Sequence, residues 1–236
     1  MLRDDAGNSG LIAPKVSLDI GITGHRSRHP VFSANSAAIA RSLTELIAFL
    51  DQTAVKMAQS SDEARPLVRL HSLLAYGADL MAVKTATATG WPVIAPLPFG
   101  RALNLAVNAQ PTSLDDMRAL LNGQDPVDPM TSERAAEIRS TEYEVSVFEL
   151  AEQDDVVEAL FATHLADTGD GAAEQAFFAL CSDRAAMAAR VMIEQSDIVV
   201  GIWDGVTQGS IGGTRHTIEA ALEQGVPVIW IDAREP

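Results

Sequence analysis

The sequence predicts an α/β fold in which a mainly parallel sheet is covered by helices on both faces. Short apolar segments rich in branched residues, typical of buried strands, alternate with segments whose apolar residues recur at helical spacing. Glycine-containing turns separate the two kinds of segment. A chain of 236 residues with 47% hydrophobic content can also bury one sizeable core. Strands separated by helices favour parallel pairing, because each helix crosses a face of the sheet.

The predicted strands share an apolar composition and end in turns. They cover residues 16–22, 67–74, 91–97, 198–203 and 226–231. Prolines at 92 and 96 leave only a few residues for the third strand proper. The carboxyl ends of such strands are where ligands bind in open α/β sheets, so the turns that follow them are the first places to look for function.

The predicted helices carry apolar residues three and four positions apart. They cover residues 33–57, 79–89, 114–121, 131–151, 172–193 and 214–223. Asp79 is predicted to cap the second of these helices, whereas Gly90 and Gly225 are predicted to end the second and the last.

The chain reads as a loose tail over residues 1–15 followed by a single domain over 16–236. A mostly helical insertion spans about residues 100–192 of that domain. Residues 113–175 contain 16 Asp or Glu and three arginines, a net charge of -13. This charge is typical of a solvated helical surface, and an acidic docking surface for a partner is the alternative.

Composition restricts the function classes. Cys181 is the one cysteine, which excludes an intramolecular disulfide and a multi-cysteine metal site. The net charge of -15 disfavours binding to nucleic acid. No apolar run has the length of a signal peptide core or a membrane span. We therefore expect a soluble cytoplasmic protein without membrane or nucleic-acid partners.

The turn after the first strand, Thr23 to His29, concentrates two arginines and two histidines in an acidic chain. Gly24 lets the backbone approach a ligand, and Arg26 can donate two parallel hydrogen bonds to a phosphate. We predict ligand contacts for Thr23, Gly24, His25 and Arg26 of this turn, and for Gly77 and Asp79 of the turn after the second strand. Two structural alternatives remain open: Arg26 pairs with an acidic residue, Asp79 or Asp204, or His25 only orients the loop.

A second, glycine-rich turn lies between the strand at 198–203 and the helix at 214–223. Gly209, Gly212 and Gly213 precede Thr214, which stands where a helix N-cap is expected. Free N–H groups and the helix dipole favour an anion such as phosphate at this position. The alternative is a turn that only reverses the chain.

Two acidic residues are candidates for chemistry. Asp204 directly follows a strand, so it is positioned either to bind a ribose hydroxyl or a base edge, or simply to begin the turn. Glu219 lies in the helix after the glycine-rich turn and is a candidate acid, base or sugar ligand if it faces the cleft, although solvent exposure is the commoner outcome.

Other familiar sites are missing from the sequence. It contains no G-x-G-x-x-G after the first strand, no P-loop motif and no H-E-x-x-H. Pro30 and the turn context argue against a zinc pair formed by His25 and His29. We therefore predict no metal and no bound cofactor.

An ordered set of short motifs resembles the SLOG superfamily, a Rossmann-like group that includes lonely-guy phosphoribohydrolases, DNA-processing proteins and nucleotide-sensing domains. The motifs are Gly21-Ile-Thr-Gly-His-Arg26, Ala75-Tyr-Gly-Ala-Asp79, Pro96-Leu-Pro-Phe99, Ser196-Asp197, Trp203-Asp-Gly205 and Gly212-Gly-Thr214. The resemblance covers residues 16–99 and 190–232. It implies a Rossmann-like three-layer sandwich, a homodimer by analogy, and nucleotide binding by Gly24, Arg26, Gly77, Gly212, Gly213 and Thr214.

One departure from this resemblance concerns catalysis. The lonely-guy motif P-G-G-x-G-T-x-x-E would align with Ser210 to Thr217, where Gly213 and Thr214 match. Thr217 stands at the glutamate position, and the nearest carboxylate, Glu219, comes two residues later. We therefore expect binding or sensing of a nucleotide-like phosphorylated ligand. Cleavage of an N-glycosidic bond of a nucleoside monophosphate is the first alternative, and a protein-interaction module with a vestigial site is the second.

Overall fold

The computed structural model describes residues 17–60, 67–143, 145–166, 171–209 and 211–236. The predicted tail lies outside the described residues. The strands of the described part are β1 (Ser17–Gly24), β2 (Leu67–His71), β3 (Val93–Leu97), β4 (Ser146–Glu149), β5 (Ile198–Trp203) and β6 (Val228–Asp232). Its helices are α1 (Pro30–Ser60), α2 (Ala78–Thr89), α3 (Arg101–Ala109), α4 (Leu114–Leu121), α5 (Pro129–Glu142), α6 (Asp154–Ala166), α7 (Gly171–Glu194) and α8 (Thr214–Glu223).

The six strands form one all-parallel sheet in the order β4-β3-β2-β1-β5-β6. The predicted α/β fold class, a Rossmann-like three-layer sandwich, is confirmed. The central strands are apolar because both faces are covered: Ile20 and Ile22 of β1 and Ile202 of β5 are almost completely buried. None of the described helices combines the length and apolar character needed to cross a membrane.

The insertion differs from its predicted form. The helix predicted over residues 131–151 is wrong in its second half, because α5 ends at Glu142 and residues 146–149 form β4. This segment extends along the edge of the sheet, where Val147 pairs with Ala95 of β3. Branched and aromatic side chains favour such an extended edge over a further helical turn. The helices α3 and α6 were also not predicted.

The order of the strands reverses between β1 and β5. From β1 the chain builds outward through β2 and β3 on one side, and through β5 and β6 on the other. The loops after β1 and β5 therefore leave the same edge of the sheet in diverging directions and open a crevice between them.

The loop after β1 is joined to the start of α2 by main-chain contacts. The N–H of Ser27 donates to the carbonyl of Tyr76 (3.0 Å), and the N–H of Ala78 donates to the carbonyl of His25 (3.1 Å). Gly77 lies between these bonds with φ of 145°, and a Cβ there would lie 2.6 Å from the carbonyl oxygen of His25. The close approach of the two loops therefore requires glycine at this position.

Gly77→Ala is expected to destabilise the protein by at least about 3 kcal/mol, because the new methyl group overlaps the opposite backbone in a conformation that L residues rarely adopt. Gly123→Ala is the matched control, since Gly123 has φ of 71° and no atom lies within 4 Å of its added Cβ. Gly123→Ala should lower the free energy of unfolding by only about 1 kcal/mol. Urea titrations measure this free energy for both variants, and equal losses would contradict the packing argument.

Candidate functional site

A cleft of about 480 Å³ lies at the carboxyl ends of β1 and β5, and we call it the first cleft. It gathers nearly all of the ligand-binding residues predicted from the sequence. These are Thr23, Gly24, His25, Arg26, Asp79, Gly209, Gly212, Gly213 and Thr214. The two turns singled out in the sequence thus meet at one site, even though they are separated by about 180 residues of chain.

Gly77 is not among the described lining residues. Its contribution is to the shape of the loop, because its backbone bridges that of Arg26. Gly24 lines the first cleft, and a Cβ there would overlap Ala78 and lie 2.9 Å from Cβ of Ile202. The close packing of β1 against its neighbours therefore explains this glycine without a ligand.

Arg26 lines the first cleft. In the described part of the chain its one side-chain hydrogen bond is to Oδ1 of Asn108, at 3.3 Å. No described carboxylate comes within ion-pair distance, so the predicted alternative of an ion pair with Asp79 or Asp204 is not what the structure shows. Desolvation lowers the pKa of Arg26, while the nearby Asp79 favours the charged form.

Asn108 is itself held in place. It is buried on α3, and its Nδ2 donates to the carbonyl of Asn104 (2.9 Å), which leaves Oδ1 facing Arg26. Arg28 also lines the first cleft, and desolvation and the nearby charge of Arg134 lower its pKa. Two guanidinium groups therefore face the same space, with a neutral amide as the only hydrogen-bond partner found for them in the described chain.

Asp79 is a buried carboxyl on the wall of the cleft. The N-cap of α2 is Gly77, so the prediction that Asp79 caps this helix is wrong, because Asp79 lies within the first turn. Its Oδ2 accepts weak hydrogen bonds from the Ser72 hydroxyl and the Ala75 N–H, both at 3.4 Å. Burial raises its pKa to about 7, and hydrogen bonds and the charge of Arg26 only partly oppose this. A carboxyl that titrates near neutrality beside an arginine is a common feature of functional sites.

The glycine-rich turn leads into the N-terminus of α8. Gly213 is the N-cap and lacks a side-chain cap, whereas Thr214, predicted to be the cap, is the first helical residue. The N–H of Thr217 donates to the carbonyl of Gly213 (3.0 Å). In the described chain, the N–H groups of residues 214–216 find no acceptor, so the positive end of the helix dipole faces the cleft.

Gly212 allows this turn to pack closely against α7. It has φ of 73°, and a Cβ there would overlap the carbonyl of Ser182 and lie 2.8 Å from the N of Ala186. The turn therefore packs directly on a helix of the insertion, and only glycine allows this approach.

Asp204, predicted as a catalytic residue, lies beneath the site and is not among the lining residues described. Its Oδ1 accepts from the N–H groups of Val206 and Thr207 (3.1 and 2.9 Å), and its Oδ2 accepts from the Thr207 hydroxyl (2.6 Å). Burial alone would raise the pKa of Asp204, but these bonds and the charge of His25 together hold it well below its usual range. The carboxylate is thus engaged by its own turn.

Two histidines extend this network toward the cleft. The N–H of Asp204 donates to Nε2 of His25 (3.1 Å), so this nitrogen is an acceptor. Burial and the neighbouring His29 lower the pKa of His25, partly opposed by Asp204. Nε2 of His29 lies 3.1 Å from the Thr207 hydroxyl, which already donates to Asp204, so this nitrogen is assigned as the donor.

The ligand atoms of His25, His29 and Asp204 lie within 4.8 Å of one another, which invites comparison with a metal site. The two rings are stacked in parallel planes with centroids 3.6 Å apart. Because an imidazole lone pair lies in the ring plane, the two Nε2 lone pairs cannot both point at one ion. The arrangement is a hydrogen-bonded support for the loop after β1.

Glu219, the other predicted catalytic residue, is not brought to the cleft. It lies on the exposed face of α8 and pairs with Arg215, whose Nε lies 2.7 Å from its carboxylate. The spacing i, i+4 explains this pair, which screens both charges on the surface.

Several lining residues escaped the sequence analysis. Asn108 and Cys181 reach the cleft from α3 and α7, and Thr217 reaches it from α8. Burial raises the pKa of the Cys181 thiol to about 12. Asn108 follows Asn104 by four positions in a helix whose residues 102–109 are otherwise apolar, and this polar pair on one helical face is the one signal that would have pointed to it.

Comparison of this chain with protein-family models, curated proteins and solved structures finds no match.

Asp79→Asn is expected to change how stability depends on pH. The ordinary pKa of this carboxyl is 3.8, and the folded protein raises it to about 7. The contribution of the protonated carboxyl to the free energy of unfolding is fully present below pH 3.8. As pH rises above that value, the contribution falls by up to about 1.4 kcal/mol per pH unit, because the unfolded chain releases a proton that the folded protein keeps. In denaturant titrations from pH 4 to 8, the free energy of unfolding of the variant should rise relative to that of the wild type. A difference between the two that stays constant with pH would contradict the raised pKa.

Asp204→Asn is expected to show the opposite dependence in the same titrations. Its folded pKa lies below the ordinary 3.8, so the carboxylate stabilises the protein above that pH. An amide NH₂ cannot accept from Thr207, so the variant should lose about 2 kcal/mol at neutral pH. This deficit should shrink as pH falls below 4, and a deficit that grows there would count against the assignment.

Proposed function

We propose that the protein binds or senses a nucleotide or a nucleotide-derived phosphorylated ligand in the first cleft. The observation that carries this proposal is the pair Arg26 and Arg28, which line one cleft without a described carboxylate partner in a chain of net charge -15. Cations left without acidic partners against such a background indicate a site for an anion.

Phosphate fits the donors better than a carboxylate does. The cleft combines a guanidinium with the start of α8, where Gly213 and Thr214 line it and the N–H groups of residues 214–216 find no acceptor in the described chain. Phosphate has enough oxygens to accept from both sources at once, as at other helix N-termini. Thr23 and Thr214 add hydroxyl groups for a ribose or a further phosphate oxygen, whereas the Thr217 hydroxyl donates to the carbonyl of Gly213.

The size of the site supports an organic phosphate. A volume of about 480 Å³ exceeds the needs of inorganic phosphate and lies within the usual range for small-molecule sites. The cleft also contains apolar surface from Leu73 and Met192. The resemblance of the two turns to the SLOG superfamily points to the same ligand class, and a homodimer remains a prediction from that resemblance.

Binding without turnover is favoured over N-glycosidic cleavage. The carboxylates assigned to that chemistry, Asp204 and Glu219, are engaged by Thr207 and Arg215 and do not line the cleft. Incubation with nucleoside monophosphates, followed by chromatography for free base, tests this preference. If the wild type releases free base and the Asp79→Asn variant does not, the enzyme hypothesis is supported, with Asp79 as the acid.

Arg26→Ala is expected to weaken binding of AMP, ADP-ribose or NAD by about 10- to 150-fold, because one charge-assisted contact to phosphate is lost. Calorimetry at two salt concentrations measures the effect, and the wild-type affinity should fall as salt increases.

Arg41→Ala is the matched control for this experiment. Arg41 is an exposed arginine of α1 outside the cleft, so its removal changes the net charge equally and should leave affinity almost unchanged. Thermal unfolding establishes that both variants are folded. Equal effects of the two substitutions, or no affinity of the wild type for any phosphorylated nucleoside, would refute the proposed function.

A further inference from the structure

A second cleft of about 490 Å³ adjoins the first and is built largely by the insertion. The two clefts share their cationic and glycine-rich boundary, formed by Arg26, Arg28, Gly212 and Gly213. A phosphate bound at this boundary would therefore have open space on both sides. The rest of the ligand has two directions in which to extend.

Helix α7 forms a continuous wall along both clefts. Ala189 and Met192 line only the first cleft, Cys181 and Ala185 line both, and Phe178 lines only the second. Because Gly212 packs against Ser182, the glycine-rich turn lies one helical turn, about 6 Å along the axis, from Phe178. If the phosphate of a ligand binds at the glycine-rich turn, a ring attached to its sugar can therefore lie close to Phe178.

The second cleft offers aromatic surface held in a fixed orientation. Phe161 and Phe177 are buried and stacked with centroids 4.6 Å apart. His164 and Phe178 pack on this base, 5.7 and 5.2 Å from Phe177, and meet each other edge to face. Phe178 is 51% exposed although its neighbours Phe161 and Phe177 are core residues. An exposed ring on a rigid aromatic support is suited to stacking on a planar ligand.

The charges in the second cleft give the ligand a direction. Glu174 lies on α7 one turn beyond Phe178, on the side away from Gly212, and lines only the second cleft. Its carboxylate repels phosphate at this end and accepts hydrogen bonds from N–H groups, which every common nucleobase carries. The anionic end of a ligand therefore belongs at the arginines and the base beside Phe178.

We infer that the aromatic base of the bound nucleotide occupies the second cleft and stacks on Phe178, so that the insertion recognises the base. This inference rests on the proposed function, because it takes the phosphate to be held at Arg26 and Gly212. It assigns the insertion a part in ligand recognition beyond that of a solvated acidic surface.

The test compares ligands that share the phosphate and differ in the base. Calorimetry on the full chain would measure AMP, GMP, CMP and UMP against ribose 5-phosphate. We expect at least one mononucleotide to bind the wild type more tightly than ribose 5-phosphate. Phe178→Ala should lower the affinity for that mononucleotide by about 5- to 150-fold, since this is the effect of removing one base-stacking ring. The affinity for ribose 5-phosphate should not change.

Two control variants keep the result interpretable. Phe178→Trp retains a stacking surface and should preserve affinity for the mononucleotide. Phe49→Ala removes another exposed ring, 63% exposed on α1 and outside both clefts, and should change nothing.

The possible failures are distinct. Equal binding of ribose 5-phosphate and all four mononucleotides, unaffected by Phe178→Ala, would overturn the base site and leave the proposed function intact. Equal weakening of both ligand types by Phe178→Ala would also overturn it, because the ring would then serve the phosphate end. Absence of binding to all five ligands and to ADP-ribose and NAD would overturn the proposed function, and this inference with it.

Discussion

The candidate site depends on the main-chain contact between the loop after β1 and the start of α2. Hydrogen bonds between His25 and Ala78 and between Ser27 and Tyr76 clamp the two loops around Gly77. The backbone of Arg26 is thereby fixed at the mouth of the cleft, and its side chain lines the cleft with a hydrogen bond to Asn108. Fixing the backbone lowers the conformational entropy that binding would otherwise have to remove, which is the usual advantage of a pre-formed site.

The buried carboxyl groups around this clamp divide into two kinds. Asp204 accepts three strong hydrogen bonds and stays ionised, so it serves as a fixed support for His25 and Thr207. Asp79 accepts hydrogen bonds of 3.4 Å from Ser72 and Ala75, and burial raises its pKa to about 7. The difference follows from the number and length of the donors supplied by each turn. Of these two carboxyl groups, Asp79 is the one that changes charge near neutral pH beside Arg26.

The sequence predicted the parallel sheet and the two turns well, because strand composition and glycine position are local signals. It did not show why each glycine is present. Close packing requires glycine at positions 77 and 24, whereas Gly213 leaves the N-terminus of α8 without a side-chain cap. It also missed β4 and the exposed ring of Phe178. Pairing of β4 with β3 joins distant parts of the chain, and stacking of Phe161 on Phe177 joins two separate helices, so no single segment carries a signal for either contact.

Charge distribution connects the insertion to the cleft. The helices of the insertion place most of their acidic side chains outward, yet α3 and α7 present Asn108, Cys181 and Ala185 to the site. A carboxylate in place of Asn108 would neutralise Arg26 and remove its attraction for an anion, whereas the amide orients the guanidinium without cancelling its charge. An acidic chain thus keeps a positive group in this cleft, because the hydrogen-bond partner described for Arg26 is a neutral amide.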